Sequence, residues 1–295
     1  MESAESANVR AVEIKLSQGA KPGLGGVLPG KKVTAEIAAA RGVEIGKTVY
    51  SPNAHRAFHD VDSMIDVIEQ VADATGLPVG IKSAVGQEAM WGQLAARMRA
   101  RGEGPDFIAI DGGEGGTGAA PLTFSDHVAL PFRIGFARVY KQFEEADMHQ
   151  NVTFIGAGKL GFGAEAMLAM GLGCDMIALA REVMLAVGCI QAQECHTGHC
   201  PTGVATQSKW LMRGLDPNDK SARVANYLTG FREDLLKLAY ACGSTHPALV
   251  AQDSIEIVKQ KGESEALGQH YCYPPGTERL SPEQISSIGE LTAVA

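Results

Sequence analysis

Aromatic residues and long apolar segments are both scarce in this sequence. Only 6% of its 295 residues are Phe, Trp or Tyr, and no apolar run reaches the roughly 18 residues that a membrane span needs. The first residues also lack the apolar core of a signal peptide. These absences argue against a membrane protein and against a secreted one.

Positive charge is in deficit as well, and cysteine is too sparse for a disulfide framework. The chain carries 26 Lys and Arg against 34 Asp and Glu, a net charge of −8. This balance argues against nucleic acid or an anionic membrane as a partner. Only six cysteines are present, and half of them lie in one short stretch. We therefore expect a protein of the reducing cytoplasm.

What the sequence does contain predicts an α/β fold. Its 35 glycines are typical of tight turns between strands and helices. Short apolar segments alternate with segments of helical periodicity. Strands are expected at residues 9–16, 79–82, 107–111, 153–155 and 176–180, and helices at residues 35–41, 61–75, 91–101, 139–148, 164–172 and 181–187. Strands linked by helices pair in parallel, and the chemistry of such folds lies at the carboxyl ends of the strands.

A glycine-rich segment follows the first predicted strand. Residues 17–30 contain five glycines and two prolines, a composition that we expect to exclude regular structure. A long loop at a strand end is a candidate binding loop, although a flexible surface loop is the alternative. Lys15 and Lys82 each end an otherwise apolar strand, which makes both of them candidate site residues.

Three of the six cysteines, Cys189, Cys195 and Cys200, fall within twelve residues with the spacing C-x5-C-x4-C. Thiolates on one loop suit a soft metal, and sulfur ligation favours an iron–sulfur cluster or zinc. Zinc would bind the three cysteines together with His196 or His199. A disulfide with one free thiol, or a coincidence of spacing, stays open as well. Three thiolates are one short of a four-thiolate site, so iron would imply a three-iron cluster or an outside fourth ligand.

Two further glycine-rich stretches follow later strands. Gly115-Gly116-Thr117-Gly118 follows the strand at 107–111, and Gly156-Ala157-Gly158-Lys159 lies between a strand and a helix. Backbone N–H groups and the ammonium of Lys159 predict an anion site. Neither stretch matches a P-loop or a Rossmann fingerprint. A barrel binds phosphate at the loops after its last two strands, so a phosphorylated cofactor such as FMN fits, with Lys82 against its ring.

Several stretches together resemble the FMN-binding synthase domain of glutamate synthase. They are the cysteine loop, which continues through Cys200-Pro201-Thr202-Gly203-Val204-Ala205-Thr206-Gln207, and the strings Glu13-Ile14-Lys15-Leu16-Ser17-Gln18-Gly19-Ala20-Lys21-Pro22-Gly23 and Gly115-Gly116-Thr117-Gly118-Ala119. The resemblance covers most of residues 9–240 and is greatest to the stand-alone FMN-binding members of the family.

The resemblance implies a (β/α)8 TIM barrel that holds FMN beside a 3Fe-4S cluster. In the family, 2-oxoglutarate and ammonia form 2-iminoglutarate, which reduced FMN converts to glutamate, and the cluster relays electrons to the flavin. In this sequence Lys15 and Arg41 match substrate-contacting positions, and Lys82 matches the lysine at the flavin ring. The residues that match the cofactor's phosphate side are Gly115, Gly116, Thr117, Gly158 and Lys159. The residues that match the cluster ligands are Cys189, Cys195 and Cys200.

Two features depart from the family pattern. Val27 stands where the family's glutamate synthases carry a Gln that helps to hold 2-oxoglutarate. The missing hydrogen bond is typically worth ~1 kcal/mol or more, so a related 2-oxo acid is an alternative substrate. The sequence also begins at what resembles the fourth barrel strand, and we count five strands rather than eight. We therefore expect a partial barrel, from a fragment, a product of internal initiation or half of a split barrel.

We expect residues 1–240 to form the barrel portion, with the iron–sulfur loop at 188–201, and residues 241–295 to form a C-terminal helical extension packed on it. The leading hypothesis is a flavin- and iron–sulfur-dependent oxidoreductase of the glutamate synthase type. The alternatives are a non-catalytic electron-transfer or scaffold subunit and a purine-nucleotide dehydrogenase-like barrel with one nucleophilic loop cysteine. No stretch resembles a glutaminase domain, so a separate glutaminase or electron-donor subunit is a candidate partner.

Overall fold

The computed structural model describes residues 8–115, 120–121, 123–276 and 279–293. The strands are β1 (Val12–Lys15), β2 (Val27–Leu28), β3 (Val49–Tyr50), β4 (Val79–Ser83), β5 (Phe107–Asp111), β6 (Thr153–Ala157), β7 (Met176–Ile177), β8 (Glu256–Val258) and β9 (Ser264–Ala266). The helices are α1 (Ala35–Arg41), α2 (Val61–Thr75), α3 (Ala89–Arg101), α4 (Phe132–Glu145), α5 (Gly163–Gly171), α6 (Arg181–Val187), α7 (Pro217–Ala241), α8 (Leu267–His270) and α9 (Pro282–Ala293).

One five-stranded sheet organises the fold, in the order β1-β4-β5-β6-β7. All neighbouring strands in it pair in parallel. The register sets Lys15 of β1 opposite Lys82 of β4, and Asp111 of β5 opposite Ala157 of β6. Because the strands are parallel, these residues share the carboxyl edge of the sheet. The prediction of five parallel strands alternating with helices, as in part of a (β/α)8 barrel, is confirmed.

Local sequence explains the best-defined elements. The central strands β4 and β5 are buried on both faces, with Ile81, Ile108 and Ile110 wholly shielded, as is usual in parallel sheets covered by helices. Helix α2 begins with a capping box between Asp60 and Ser63 and ends at Gly76 in a left-handed conformation, a typical start and stop. Its bounds, and those of α1, α6 and β5, are those predicted.

Aromatic side chains from α4 fill the core beneath the sheet. Phe136, Tyr140 and Phe143 are all at most 2% exposed, and each of them packs within 6 Å of the ring of Phe154 on β6. Trp91 of α3 is buried in the same core. These aromatic side chains shield one face of the sheet from water.

The glycine-rich segment departs from its prediction as a wholly irregular loop. Val27 and Leu28 form β2, which pairs antiparallel with β3, and a 3-10 turn follows at Gly30–Lys32. The pairing is possible because residues 49–50 supply partners that lie far along the chain. Two other elements differ from their predicted bounds. Helix α4 begins at Phe132 rather than at Val139, and β7 has two residues instead of five.

The residues after α7 pack against the sheet-bearing core. Leu267 and Tyr273 are buried in the same apolar cluster as β4 and β5, and the hydroxyl of Tyr273 donates to the carbonyl of Leu172 at 2.9 Å. The segment also holds the antiparallel pair β8–β9. The division into 1–240 and 241–295 stays a prediction. Among the described helices, none combines the length and the apolar character that crossing a bilayer requires.

Candidate functional site

A cavity of about 350 Å³ lies at the carboxyl edge of the sheet. Its lining comes from the ends of β1, β4, β5 and β6 and from the segment after β7. Lys15, Lys82, Asp111 and Lys159 all line it. The volume falls in the range of about 300–1,000 Å³ that small-molecule and cofactor sites occupy. The structure therefore gathers both strand-end lysines and one glycine-rich stretch at a single concave site.

Asp111 is a buried acidic residue on the lining of this cavity. The side chain of Lys82 is 27% exposed, and its Nζ lies 4.0 Å from Oδ2 of Asp111. The backbone N–H of Gly19 donates to the same Oδ2 at 2.9 Å. Burial raises the pKa of Asp111, while the hydrogen bond from Gly19 and the charges of Lys82 and Lys15 oppose that rise. The cavity lining thus holds cations beside buried carboxyl groups, those of Asp111 and Glu182.

Lys15 stands at the rim of the cavity and donates through Nζ to Oε1 of Gln18. Partial burial of its side chain lowers the pKa of Lys15, and the neighbouring ammonium groups of Lys82 and Lys21 lower it further. The opposing charges of Asp111 and Glu13 are weaker influences. A cation pressed against other cations in this way attracts an anionic ligand, because the ligand relieves the repulsion.

A second, smaller cavity of about 290 Å³ adjoins the first. Lys15 and Gln18 line both cavities, so this hydrogen-bonded pair stands between them. The smaller cavity is otherwise enclosed by the glycine-rich segment, including Lys21, and by residues 51–55. His55 also lines it, and its Nε2 lies 2.8 Å from the carbonyl oxygen of Lys15. Its size and its two lysines suit a small carboxylate.

Backbone approaches the larger cavity closely at two glycines. A Cβ at Gly115 would lie 2.5 Å from Oδ1 of Asp111, and one at Gly158, where φ is +152°, would lie 2.8 Å from Cβ of Phe132. A side chain at either position is therefore excluded. Lys159 follows with a left-handed φ of 54°, and its exposed ammonium lies 4.0 Å from Asp126. The predicted residues Gly116 and Thr117 lie outside the described part of the chain.

Arg41, a predicted substrate contact, and Val27, which stands at the position of the family Gln, line neither cavity. Arg41 is exposed in the last turn of α1 and lines neither cavity. Val27 is 57% exposed on β2 and also lines neither. The structure therefore leaves Lys15 as the predicted substrate contact that lines both cavities.

The cysteine loop follows α6, at the end of the last strand of the sheet. Cys189 and Cys195 are half-buried and Cys200 is buried. Burial raises the pKa of the Cys200 thiol, but hydrogen bonds from the Thr202 hydroxyl and from the N–H groups of Ala205, Thr202 and Val204 outweigh it and lower the pKa to about 7. Such a ring of donors stabilises a thiolate, the form of cysteine that binds metals.

The loop is tied to the 3-10 turn at Gly30–Lys32, because Nζ of Lys32 donates to the carbonyl oxygen of Cys195. All six cysteines are free, so the disulfide alternative finds no support. Within the described ranges, no three His, Cys, Asp or Glu side chains lie close enough together to hold a metal ion. The cysteines thus share one loop without converging on one point.

Sequence reasoning missed Asp111, Gln18 and His55 as site residues. Asp111 was assigned only as the end of a strand, although an acidic residue that ends an apolar strand beside a glycine-rich stretch is a recognisable signal. Gln18 lies in the glycine-rich segment, whose path over the sheet edge depends on distant contacts. Nothing in the local sequence placed His55 beside Lys15, 40 residues earlier.

Known proteins are similar to this chain in sequence or in fold. The family model described as a conserved region in glutamate synthase matches residues 2–245. The glutamate synthase large subunit-like protein YerD of Bacillus subtilis is 38% identical over 254 residues, which are 86% of this chain and 48% of that protein. The archaeal glutamate synthase (NADPH) of Methanocaldococcus jannaschii is 36% identical, over 79% of this chain and 45% of its own length.

A ferredoxin-dependent glutamate synthase of Cyanidium caldarium is also 36% identical, over 77% of this chain and 14% of its own. Among solved structures, a double mutant of flavocytochrome b2 with pyruvate bound superposes with a TM-score of 0.50, over 94% of this chain and 56% of that one. Its 14% identity means that this likeness bears on the fold alone. The chain spans about half the length of YerD and of the archaeal enzyme. With most of its residues matched by the family model, this chain belongs to the glutamate synthase family.

Proposed function

We propose that this chain carries the FMN site of a glutamate synthase-type oxidoreductase, which reductively aminates 2-oxoglutarate or a related 2-oxo acid. The observation that carries the proposal is the pair of adjoining cavities at the carboxyl edge of the sheet, with Lys15 on the wall between them. One cavity has the size and charge for a cofactor and the other for a small carboxylate. Membership of the family supports the same assignment.

The residues of the larger cavity fit FMN in their chemistry. Gly158 lets the backbone come close to a ligand, and Lys159 offers an exposed ammonium to a phosphate. Lys82 offers a cation at a strand end, where positive charge would favour a reduced ring. Gly115, Gly116 and Thr117 belong to the same proposed site. When bound, the flavin would supply the hydride that reduces an imine to an amine.

Lys15 binds the acid substrate in this proposal. Its ammonium faces the smaller cavity together with Lys21, so that a carboxylate bound there is held by two cations. Gln18 orients Lys15 through its amide oxygen. Because burial and neighbouring cations lower the pKa of Lys15, its ammonium also releases a proton more readily than an ordinary lysine does, as a proton donor near an imine nitrogen requires.

We further propose that Cys189, Cys195 and Cys200 bind a 3Fe-4S cluster. The three thiols lie on one loop, and the donors around Cys200 favour its thiolate, which is the ligand form. Zinc held with His196 or His199 is the competing assignment. Metal and acid-labile sulfide analysis separates the two. About three irons per chain, lost in Cys200→Ser, would support the cluster, and zinc without iron would contradict it.

Electrons and ammonia come from outside this chain in the proposal. The relatives are named for NADPH and for ferredoxin, so a separate donor subunit or protein is proposed to supply the electrons. A separate glutaminase would supply ammonia where glutamine is the nitrogen source. We propose a cytoplasmic location, in keeping with free cysteines throughout.

Glutamate formation tests the activity directly. Anaerobic protein reconstituted with FMN would be mixed with 2-oxoglutarate, ammonia and a chemically reduced viologen dye as electron donor. We expect flavin-dependent glutamate formation that falls at least about tenfold in Lys15→Ala, with Lys47→Ala as the control, because Lys47 is exposed and pairs only locally with Glu44. Tight FMN binding without any 2-oxo acid turnover would instead favour the electron-transfer alternative.

A further inference from the structure

Asp111 has a role that neither cofactor contact nor substrate contact explains. It ends β5 with only 7% of its surface exposed. One carboxylate oxygen, Oδ2, accepts the N–H of Gly19 at 2.9 Å and faces Nζ of Lys82 at 4.0 Å. These two partners come from different elements, since Gly19 lies in the glycine-rich segment and Lys82 lies on β4.

The carboxylate is enclosed on its other side as well. A Cβ at Gly115 would lie 2.5 Å from Oδ1, so the backbone there packs directly against that oxygen. The glycine-rich segment is equally close: a Cβ at Gly19 would lie 1.8 Å from the carbonyl oxygen of Gly112. Asp111 thus stands where the glycine-rich segment, the loop after β5 and Lys82 meet.

We propose that Asp111 is a positioning residue that holds the base of the glycine-rich segment and the ammonium of Lys82 to one carboxylate group. Both partners face the same oxygen, Oδ2, so one carboxylate serves the glycine-rich segment and Lys82 together. The wall residues Lys15 and Gln18 lie next to this anchor, within four residues of Gly19. Asp111 therefore contacts both the segment that lines the smaller cavity and the cation Lys82 that lines the larger one.

Charged groups from several elements surround Asp111. Lys15 on β1 and Lys82 on β4 are the cations that act on its carboxylate. The same cavity is also lined by the charged side chains of Glu13, Glu114, Lys159, Arg181 and Glu182. Glu114 is engaged elsewhere, because both of its oxygens accept the N–H of Phe132 at the start of α4. Asp111 is thus the carboxylate placed to serve as counter-ion for Lys82.

Two substitutions separate its two tasks. Asp111→Asn keeps an oxygen acceptor for Gly19 and removes the charge that faces Lys82, whereas Asp111→Ala removes both. Asp147→Asn is the matched control, because Asp147 is an exposed partner of Arg99 at 3.9 Å. Amide hydrogen exchange of residues 17–23 measures the first task in protein without flavin. Turnover and the pH profile with FMN measure the second.

We expect exchange of residues 17–23 to rise at least about tenfold in Asp111→Ala and to change less than about threefold in Asp111→Asn. In FMN-saturated Asp111→Asn, kcat should fall about tenfold or more, and the pH profile of kcat should change. The KM for 2-oxoglutarate should change little. Unchanged exchange in Asp111→Ala, or kcat and pH profile unchanged in Asp111→Asn, would overturn the inference. If Asp111→Ala does not fold, the Asp111→Asn kinetics decide.

The kinetic part rests on the proposed function, and the exchange part does not. Wild-type protein that binds no FMN would sink the proposed function while leaving the exchange comparison intact. If wild-type protein is active and Asp111→Asn has the same kcat and pH profile, the inference about Asp111 is wrong and the proposed function stands.

Discussion

Replacing Gly19 by Ala should open the glycine-rich segment at its base. The new Cβ would lie 1.8 Å from the carbonyl oxygen of Gly112 and 2.9 Å from that of Asp111. Both neighbours are backbone atoms, which cannot rotate away as a side chain can. Real Cβ contacts stay beyond 3.0 Å, so the segment must retreat by at least 3.0 − 1.8 = 1.2 Å from the sheet edge.

That retreat strains the 2.9 Å hydrogen bond from Gly19 to Asp111. Overpacking of this kind typically costs about 1–3 kcal/mol, and a hydrogen bond to a charged group contributes about 1.5–3 kcal/mol. Since the segment is an irregular surface element, the cost should appear as local opening rather than as global unfolding. A local loss of about 1.4–2.8 kcal/mol corresponds to 10–100-fold faster amide exchange.

Hydrogen exchange of residues 17–26, read by mass spectrometry, measures this opening. Gly26→Ala is the control, because it lies in the same segment and its Cβ would meet only the Ser51 side chain, at 3.5 Å. We expect Gly19→Ala to exchange 10–100-fold faster than wild type, and Gly26→Ala to resemble wild type. Equal exchange in the two variants would refute the packing of Gly19 against the sheet edge.

Three further predictions concern the cofactor cavity, the substrate lysine and the core. Gly158→Ala should weaken FMN binding at least about tenfold, measured by flavin fluorescence, because its Cβ would lie 2.8 Å from Phe132 at a φ of +152°; Gly86→Ala, which meets no atom within 4 Å, should not. Burial and the charges of Lys82 and Lys21 lower the pKa of Lys15, so 2-oxoglutarate binding should weaken as the pH rises toward that lowered pKa, below the ordinary lysine range near 10.4; titration calorimetry of Lys15→Arg should show a flatter profile. Burial, aided by Glu145, raises the pKa of Glu144 to about 8, so the native state holds this proton more tightly than the unfolded chain and loses that stabilisation as the pH rises through about 8. In thermal melts, the Tm of Glu144→Gln relative to that of wild type should therefore rise by about 3 °C or more between pH 6 and pH 9. A Tm difference that stays constant over this range would contradict the burial of that carboxyl.

Elements with strong local signals were predicted well. Helix α2 has apolar residues at helical spacing, an Asp–Ser capping box and a terminal glycine, so each of its boundaries is set within a few residues of sequence. Strand β5 is a short apolar run between polar residues, and its bounds were exact. The parallel sheet followed because strands and helices alternate along the chain.

Elements that depend on distant partners were not predicted. The N–H of Phe132 in the first turn of α4 donates to the carboxylate of Glu114, 18 residues earlier, because the N-cap residue, Pro131, has no side-chain acceptor. Strand β2 exists only because β3 pairs with it. Local periodicity carries no information on such contacts, since each partner is chosen by the fold.

The candidate site divides in the same way. Lys15 and Lys82 were recognised because a lysine at the end of an apolar strand is unusual, and the parallel register then places them side by side. Asp111 ends its own strand in the same layer, yet its partner Gly19 reaches it only through the folded path of the glycine-rich segment. The exposed position of Arg41 likewise depends on where α1 is placed, not on its sequence.

The most direct test of the account is the flavin content of the protein purified anaerobically, from its absorption spectrum and from the flavin released by acid. The account predicts flavin bands and about one FMN per folded chain, because the cavity at the carboxyl edge of the sheet offers the lysines and close backbone approach that FMN requires. Folded protein that holds no flavin and takes up none when FMN is supplied would contradict it.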